Sequence, residues 1–509
     1  MLHSLSAVSM GTVVLLVLAL GLALSFEFVN GFHDTANAVA TVIYTKALRP
    51  WQAVIWSGTW NLIGVLISSG AVAFGILALL PVELVLNVGS GAGFAMVFAL
   101  LVSAIIWNAG TWWLGLPACS SHTLIGAIMG VGLANSLLSP GHVFGEGVNW
   151  AKVTQTGQAL LISPLIGFGV SALLLVTAKL LIHRKELFEA PVGDAPPTLW
   201  VRALLVLTCT GVSFAHGSND GQKGMGLIML ILIGVLPGVF AVNPGLGGGA
   251  LATFTSTSHS VQATIEKHVP LGERGATSVL ASTAAAPPAS ADAGAELSAF
   301  LKPSGKPDDK TWAALASKNQ EIAQTVGGVS SLGELPANQR TQLRTDLYLV
   351  GASIAKLQSK HLVADATDNA TLTKYRKMLD SASNFIPVWV KVAVALALGL
   401  GTMIGWKRIV VTVGERIGKA HLTYAQGASA EIVAYGTIQL ADIFGLPVST
   451  THVLSSGVAG TMAANGSGVQ GPTIRNIILA WVLTLPACVF LGSMLFAGGL
   501  LLVAKMGIH

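Results

Sequence analysis

The sequence predicts an all-α polytopic membrane protein, with about ten membrane passes in two inverted-topology repeats and one soluble insertion. Three observations predict it. The chain of 509 residues is 52% hydrophobic and only 10% charged, with a mean hydropathy of +0.69. A soluble domain carries about 25% charged residues, so the soluble class is excluded. Two polar motifs each occur twice inside apolar surroundings. The loops flanking the copies carry opposite densities of positive charge.

Apolar stretches near membrane length, about 20 residues, fall at 11–45, 51–80, 93–112, 115–138, 158–182, 202–242, 386–404, 421–443, 446–464 and 474–503. The run beginning at Gly11 has no basic n-region before it, with neither Lys nor Arg in residues 1–10, and no small-residue cleavage site, so it reads as a retained span and not a signal peptide. Segments 11–45 and 202–242 are long for one span and short for two, and each holds a polar, glycine-bearing signature. A broken helix is expected in both. Residues 183–200 form a polar, proline-broken linker. Residues 244–385 are rich in Ala, Ser, Thr and Gly and hold no membrane-length apolar run. They read as a soluble insertion, disordered in part near 283–297 and helical over 310–380, where Ile322, Leu343, Leu347, Ile354 and Leu357 recur at helical spacing. The chain therefore divides into a first repeat, 1–182; a linker, 183–200; the start of a second repeat, 201–243; the insertion, 244–385; and the rest of the second repeat, 386–509.

The first duplicated motif is Asn30-Gly31-Phe32-His33-Asp34-Thr35-Ala36-Asn37, echoed by His216-Gly217-Ser218-Asn219-Asp220-Gly221-Gln222-Lys223-Gly224. The second is Leu116-Pro117-Ala118-Cys119-Ser120-Ser121-His122-Thr123, echoed by Leu446-Pro447-Val448-Ser449-Thr450-Thr451-His452-Val453. Asp34 precedes His122 by 88 positions, and Asp220 precedes His452 by 232. The excess of 144 nearly equals the 142 residues of the insertion. Removing one insertion brings the halves into step.

Loop 81–92 contains Glu83 and no Lys or Arg, whereas its counterpart 405–420 contains Lys407, Arg408, Arg416 and Lys419. Cytoplasmic loops are enriched in Lys and Arg. The two loops thus lie on opposite sides, as inverted repeats require. Lys46, Arg49 and His183-Arg184-Lys185 fit the cytoplasmic side. The same count puts the N-terminus and the insertion outside the cytoplasm. Tryptophans such as Trp51, Trp112, Trp113, Trp150 and Trp200 fall near span ends, as an interfacial belt would place them.

Ionisable residues at membrane depth are costly and mark sites facing protein or water. Asp34 and Asp220 offer oxygen ligands for a cation or acceptors for a proton, and both are metal-ligand candidates, though no metal site is firmly assigned. Asn37 can ligate or hydrogen-bond, as can Asn219. Gln222 can donate to an oxyanion. Lys223 can neutralise an anion or pair with Asp220. Ser120, Ser121, Thr123, Ser449, Thr450 and Thr451 supply hydroxyls just after prolines that open the helix, a cradle suited to a tetrahedral oxyanion. Membrane Ser and Thr also bond their own backbone. His33, His122, His452, Glu27 and Glu431 are proton-coupling candidates; His122, His452, His33 and His216 are equally open to a structural role. Asp442 sits near a helix end, and Asn61 and Asn108 are weaker signals. Cys119, Cys209 and Cys488 lie in apolar stretches without a metal or disulfide spacing and read as packing residues.

Together the four motifs resemble the inorganic phosphate transporter (Pit) family, relatives of the type III sodium–phosphate cotransporters, and most closely the bacterial low-affinity members. The resemblance spans nearly the whole chain apart from the insertion. It implies that Asp34, Asn37, Asp220 and the hydroxyl clusters line a substrate and ion site. The family signature is Gly-Ala-Asn-Asp followed by Asn-Ala; here His33 replaces an Asn, and Lys223 stands where an Asn is usual. These departures point away from a sodium site of the family kind and toward the proton-coupled mode ascribed to bacterial members, which are taken to carry neutral metal–phosphate complexes. The resemblance thus implies a secondary transporter in a bacterial inner membrane, importing phosphate by proton symport with alternating access. Phosphate, protons and divalent cations are the expected partners, with Mg or Ca co-transported and no resident cofactor. A homodimer is compatible with this reading and nucleic-acid binding is not expected. Two alternatives stand: transport of another tetrahedral oxyanion such as sulfate, and an intramembrane Ser/His hydrolase. Duplication of the Ser–His motif argues against the hydrolase, since an enzyme needs one such site.

Overall fold

The computed structural model describes residues 9–34, 36–77, 79, 89–138, 144–145, 148–269, 290–302 and 305–506. Its regular elements are helices, and among the described residues β-structure is confined to isolated bridges. A bilayer core offers the backbone no water, so each spanning segment must satisfy its own N–H and C=O groups, and helices do so.

The helices that matter here are α1 (Met10–Asp34), α2 (Ala36–Tyr44), α3 (Pro50–Ile67), α4 (Ala71–Leu77), α5 (Gly91–Trp113), α6 (Ser120–Leu138), α7 (Trp150–Leu181) and α8 (Leu199–Val235). They are followed by α9 (Gly248–Lys267), α10 (Ser290–Leu301), α11 (Asp309–Gly327), α12 (Ala337–Ser359) and α13 (Ala366–Ser383), then α14 (Val388–Met403), α15 (Tyr424–Ile443), α16 (Thr450–Ala464) and α17 (Gly471–Met506). Each of the predicted apolar stretches holds a helix. Among the described residues, six helical segments are long and apolar enough to cross a membrane: Met10–Tyr44, Gly91–Trp113, Ser120–Leu138, Val153–Leu181, Leu199–Val235 and Gly471–Lys505. The chain is a multi-pass membrane protein. Helices such as α14, of 16 residues, and α16, of 15, fall short of a full span.

The structure departs from the expected broken helices at the second signature. His216–Gly224 lies inside α8, one uninterrupted helix of 37 residues. The glycines that suggested an opening instead admit a neighbour. A Cβ at Gly217 would stand 2.7 Å from the Asn61 carbonyl carbon of α3, so only glycine allows this approach. In the first signature α1 ends at Asp34 and α2 begins at Ala36; the predicted opening lies at Thr35, outside the described residues.

The turns before the two hydroxyl–His motifs are built alike. Gly115 and Gly445 adopt left-handed φ of 67° and 63°. Leu116 N–H bonds back to the Thr111 carbonyl and Leu446 N–H to the Ala441 carbonyl, each at 2.9 Å. Both are glycine-terminated helix ends in which a backbone N–H satisfies a leftover carbonyl. The chain then runs through Pro117 or Pro447 into α6 or α16.

The chain falls into two compact units, one of Met1–Val13 with Leu232–Phe385 and one of Val14–Ile231 with Ile386–His509. In the first, α9 to α13 close over a core that includes Phe254, Leu297, Ile322, Leu347, Ile354 and Tyr375. The disorder expected near 283–297 gives way to the helix α10 over its second part; 283–289 lie outside the described residues. Lys318 is buried here between Glu321 at 2.8 Å and Asp346 at 3.1 Å. Burial opposes its charge, but the two carboxylates outweigh that and hold the ammonium above its usual range. The second unit exposes Leu161, Leu165, Leu173 and Leu180 along α7, and Val482, Phe490 and Leu501 along α17. Apolar faces of this extent suit lipid contact.

Candidate functional site

The site forms within the larger unit, where both Asp signatures and both hydroxyl–His motifs converge. Asp34 ends α1, and Asp220 sits on α8. His216, one helical turn before Asp220, stands between them. Ligand atoms of Asp34, His216 and Asp220 all lie within 4.8 Å of one another. His216 Nε2 is 3.5 Å from Asp220 and 3.8 Å from Asp34. Its other ring nitrogen, Nδ1, meets Asn61 Oδ1 at 2.9 Å, which fixes the ring plane.

Each carboxylate also takes a hydroxyl from the other half of the chain. Thr451 Oγ1, on the first turn of α16, donates to Asp34 at 2.6 Å. Ser120 Oγ, on the first turn of α6, lies 3.4 Å from Asp220 Oδ2 and 3.2 Å from Asp34 Oδ2. Lys223 pairs with Asp220 at 2.7 Å and donates to Ser120 at 2.9 Å. Of the two roles open to Lys223, this geometry displays the pairing. His33 Nδ1 is 3.3 Å from Asp34, and its Nε2 is 3.1 Å from Thr111. Asn37 donates to Thr450 at 3.2 Å and to Thr451 at 3.0 Å. Asp34, Asp220 and Lys223 are each at most 2% exposed. Among the described residues, Asp220 Oδ1 and Asn37 Oδ1 are buried without a hydrogen-bond partner, so acceptor capacity remains in the cluster.

The other predicted residues do different work. Gln222 donates to Asp442 at 2.6 Å and to the Ser218 carbonyl at 2.7 Å, and it accepts from Val72 N–H. Its amide is therefore committed to Asp442 at the end of α15. Asn219 donates to the Leu446 carbonyl at 3.2 Å. Ser121 donates to the Val448 carbonyl, and Thr123 bonds Asn108 at 2.9 Å. Ser449 caps α16 by accepting from His452 N–H at 3.1 Å. Glu27 is buried beside Asn30, at 3.4 Å, and feels the charges of Lys223 and Asp220. Glu431 accepts from Thr41 and Thr208, apart from the aspartate pair. His122 and His452 face each other, ring centroids 4.8 Å apart, with His452 against Trp481 at 4.0 Å. Among the described residues, neither Ser120 nor Ser449 donates to an imidazole: the first is bound to Asp34, Asp220 and Lys223, the second to a helix cap.

A model described as the phosphate transporter family matches residues 30–492, a range that takes in all four motifs. The chain belongs to the phosphate transporter family. It is 42% identical over 496 residues to the low-affinity inorganic phosphate transporter PitB of Escherichia coli K12, covering 95% of this chain and 96% of that protein. It is 43% identical over 508 residues to PitA of the same strain, covering 97% and 99%. The low-affinity inorganic phosphate transporter of Buchnera aphidicola from Acyrthosiphon pisum is 38% identical over 518 residues, covering 99% and 100%. A solved structure titled "The sodium-dependent phosphate transporter" aligns with TM-score 0.49 at 18% identity, covering 95% of this chain and 98% of that one. These family members are named as transporters and not as enzymes, and the hydrolase alternative lapses with the membership.

The sequence leaves both His33 and His216 open to a proton-relay or a structural role and sets only His33 among the site candidates; the structure puts His216 between the aspartates. A His four residues before an Asp on a continuous helix shares its face, and that signal was available.

Proposed function

We propose that this family member is a secondary transporter that imports inorganic phosphate by proton symport across a bacterial inner membrane. Phosphate travels as a neutral complex with a divalent metal. Two inverted repeats of five passes each rock about one shared site, and that rocking alternates access. The observation that carries the proposal is the convergence of Asp34, His216, Asp220, Lys223, Ser120 and Thr451 in one buried cluster.

Charge supports the coupling. Two carboxylates and one ammonium sum to one negative charge while the imidazoles of His33 and His216 are neutral. A phosphate dianion entering alone would be repelled at low dielectric, where charges act strongly. A proton on each imidazole reverses the sign of the cluster. A divalent cation travelling with the phosphate removes the dianion's charge altogether, and Asp34 and Asp220 offer it hard oxygen ligands. Protons and metal thus each relieve the same repulsion, and neither needs sodium. Ser120, Thr450, Thr451 and Asn37 supply donors for phosphate oxygens once their present bonds are exchanged.

Reconstitution tests the proposal. Labelled phosphate should enter proteoliposomes that have an alkaline interior, in sodium-free buffer containing Mg²⁺. Uptake should collapse when a protonophore is added. Excess sulfate should leave it unchanged; strong competition by sulfate would instead favour a general oxyanion carrier. Uptake that persists with the protonophore and requires sodium would overturn the proton coupling.

A further inference from the structure

Next to the aspartate cluster lies a second group of ligating side chains that phosphate transport does not use. Cys119, His122 and His452 each offer one ligand atom, and these atoms lie within 4.8 Å of one another. Cys119 precedes α6, His122 is on its first turn, and His452 is on the first turn of α16. Cys119 and His452 are buried, at 2% and 3% exposure, and His122 is partly buried. The two histidines hold equivalent places in the duplicated motif. Their rings face each other, which explains the packing but not the ring edges. Among the described residues, His122 Nδ1 and both ring nitrogens of His452 are buried without a hydrogen bond, while the Leu160 backbone acts on the His452 ring. Leaving a buried polar atom unsatisfied is costly. Three such atoms beside a buried sulfur leave something to be accounted for.

We propose that Cys119, His122 and His452 bind a divalent cation of the Zn²⁺ class, which ties α6 to α16 and arrests transport. The donor set decides the class of ion. One thiolate and two imidazoles suit Zn²⁺ and its d-block neighbours, whereas Mg²⁺ and Ca²⁺ take oxygen ligands. The carboxylates of Asp34 and Asp220 meet the second preference, so hard and soft cations are sorted between adjoining sites. Binding forms a metal–sulfur bond and two metal–nitrogen bonds, and the Cys119 thiol proton leaves to solvent while both imidazoles stay neutral. Bonds of about 2.0–2.3 Å in a tetrahedral site bring ligand atoms to roughly 3.3–3.7 Å apart. Side-chain rotation of about an ångström closes that difference. Three protein ligands leave a fourth position for water or an anion oxygen. Since Thr451 adjoins His452 and Ser120 adjoins Cys119, an ion here would fix the two hydroxyl donors that bridge the halves.

The arrest rests on the transport reading, but the binding does not, and the test separates them. Full-length protein in detergent is titrated with Co²⁺, whose tetrahedral thiolate complexes absorb strongly by sulfur-to-metal charge transfer. One equivalent should produce that band, and Zn²⁺ should displace it. Cys119→Ser should abolish it, while Cys209→Ser and Cys488→Ser keep it. His122→Gln and His452→Gln should each weaken Zn²⁺ binding by at least about tenfold. In proteoliposomes, Zn²⁺ should inhibit phosphate uptake, and Cys119→Ser should need at least about tenfold more Zn²⁺ for the same fractional inhibition of its own metal-free uptake. No charge-transfer band, or one that survives in Cys119→Ser, would overturn the site. A band with uptake indifferent to Zn²⁺ would overturn the arrest, and protein that binds Co²⁺ but never takes up phosphate would overturn the transport reading alone.

Discussion

Asp34 and Asp220 occupy matching motifs yet are held differently. Asp34 is ringed by two hydroxyls and an imidazole: Thr451 at 2.6 Å, Ser120 at 3.2 Å and His33 at 3.3 Å. Asp220 is ion-paired to Lys223 at 2.7 Å and has one oxygen, Oδ1, without a hydrogen-bond partner among the described residues. Each also reaches across the chain, Asp34 to a hydroxyl of the second half and Asp220 to one of the first. The difference teaches that matching motifs do not bring matching electrostatics: the neighbours decide what each acid can do. Removing Asp34 takes away an acceptor; removing Asp220 strands a buried ammonium.

That contrast sets the order of expected effects. Asp220→Asn should be the most damaging, because it leaves Lys223 buried without a counter-ion, a loss of about 3–5 kcal/mol. Thermal unfolding in detergent should show the drop, and uptake should vanish. Restoring stability with Asp220→Asn plus Lys223→Met, without restoring uptake, would sharpen the assignment. Asp34→Asn should also abolish uptake but cost only about 1–3 kcal/mol, since Thr451 and Ser120 donate to different carboxylate oxygens and the amide oxygen keeps one of the two bonds, while the amide NH2 can donate to the other hydroxyl. Equal destabilisation by the two Asn variants would break the comparison. Thr451→Val should lower uptake by roughly tenfold through loss of a charge-assisted bond of about 1.5 kcal/mol, and Thr451→Ser should recover most of it. The smallest effects belong to the helix ends. Gly115→Ala and Gly445→Ala should each cost about 1–2 kcal/mol, because alanine is strained at left-handed φ. Their similarity is itself a check that the two turns are equivalent.

Much of this was legible in the sequence because it depends on short-range rules. Gly115-Leu116-Pro117 and Gly445-Leu446-Pro447 announce a helix end followed by a restart, and both turns have that form. The alternation of long apolar runs with a polar, charged stretch announced the helical insertion. Leu343, Leu347, Ile354 and Leu357 do lie in its core. The continuity of α8 was not legible. Three glycines and six polar or charged residues within His216–Gly224 favour an opening when read locally, whereas Asn61, Ser120 and Asp442 satisfy the segment from distant positions. The division of labour among the hydroxyls was hidden for the same reason. Nothing local separates Ser120, which joins the aspartates, from Ser121, which bonds the Val448 carbonyl; a rotation of 100° along α6 decides it.

The central claim is that the two aspartates act as one proton-coupled phosphate site. Phosphate uptake into sodium-free proteoliposomes, driven by an imposed pH gradient, tests it most directly when wild type, Asp34→Asn and Asp220→Asn are compared at equal amounts of folded protein. The account predicts gradient-dependent uptake by the wild type and none by either variant. Uptake by either variant at close to the wild-type rate would contradict a shared site.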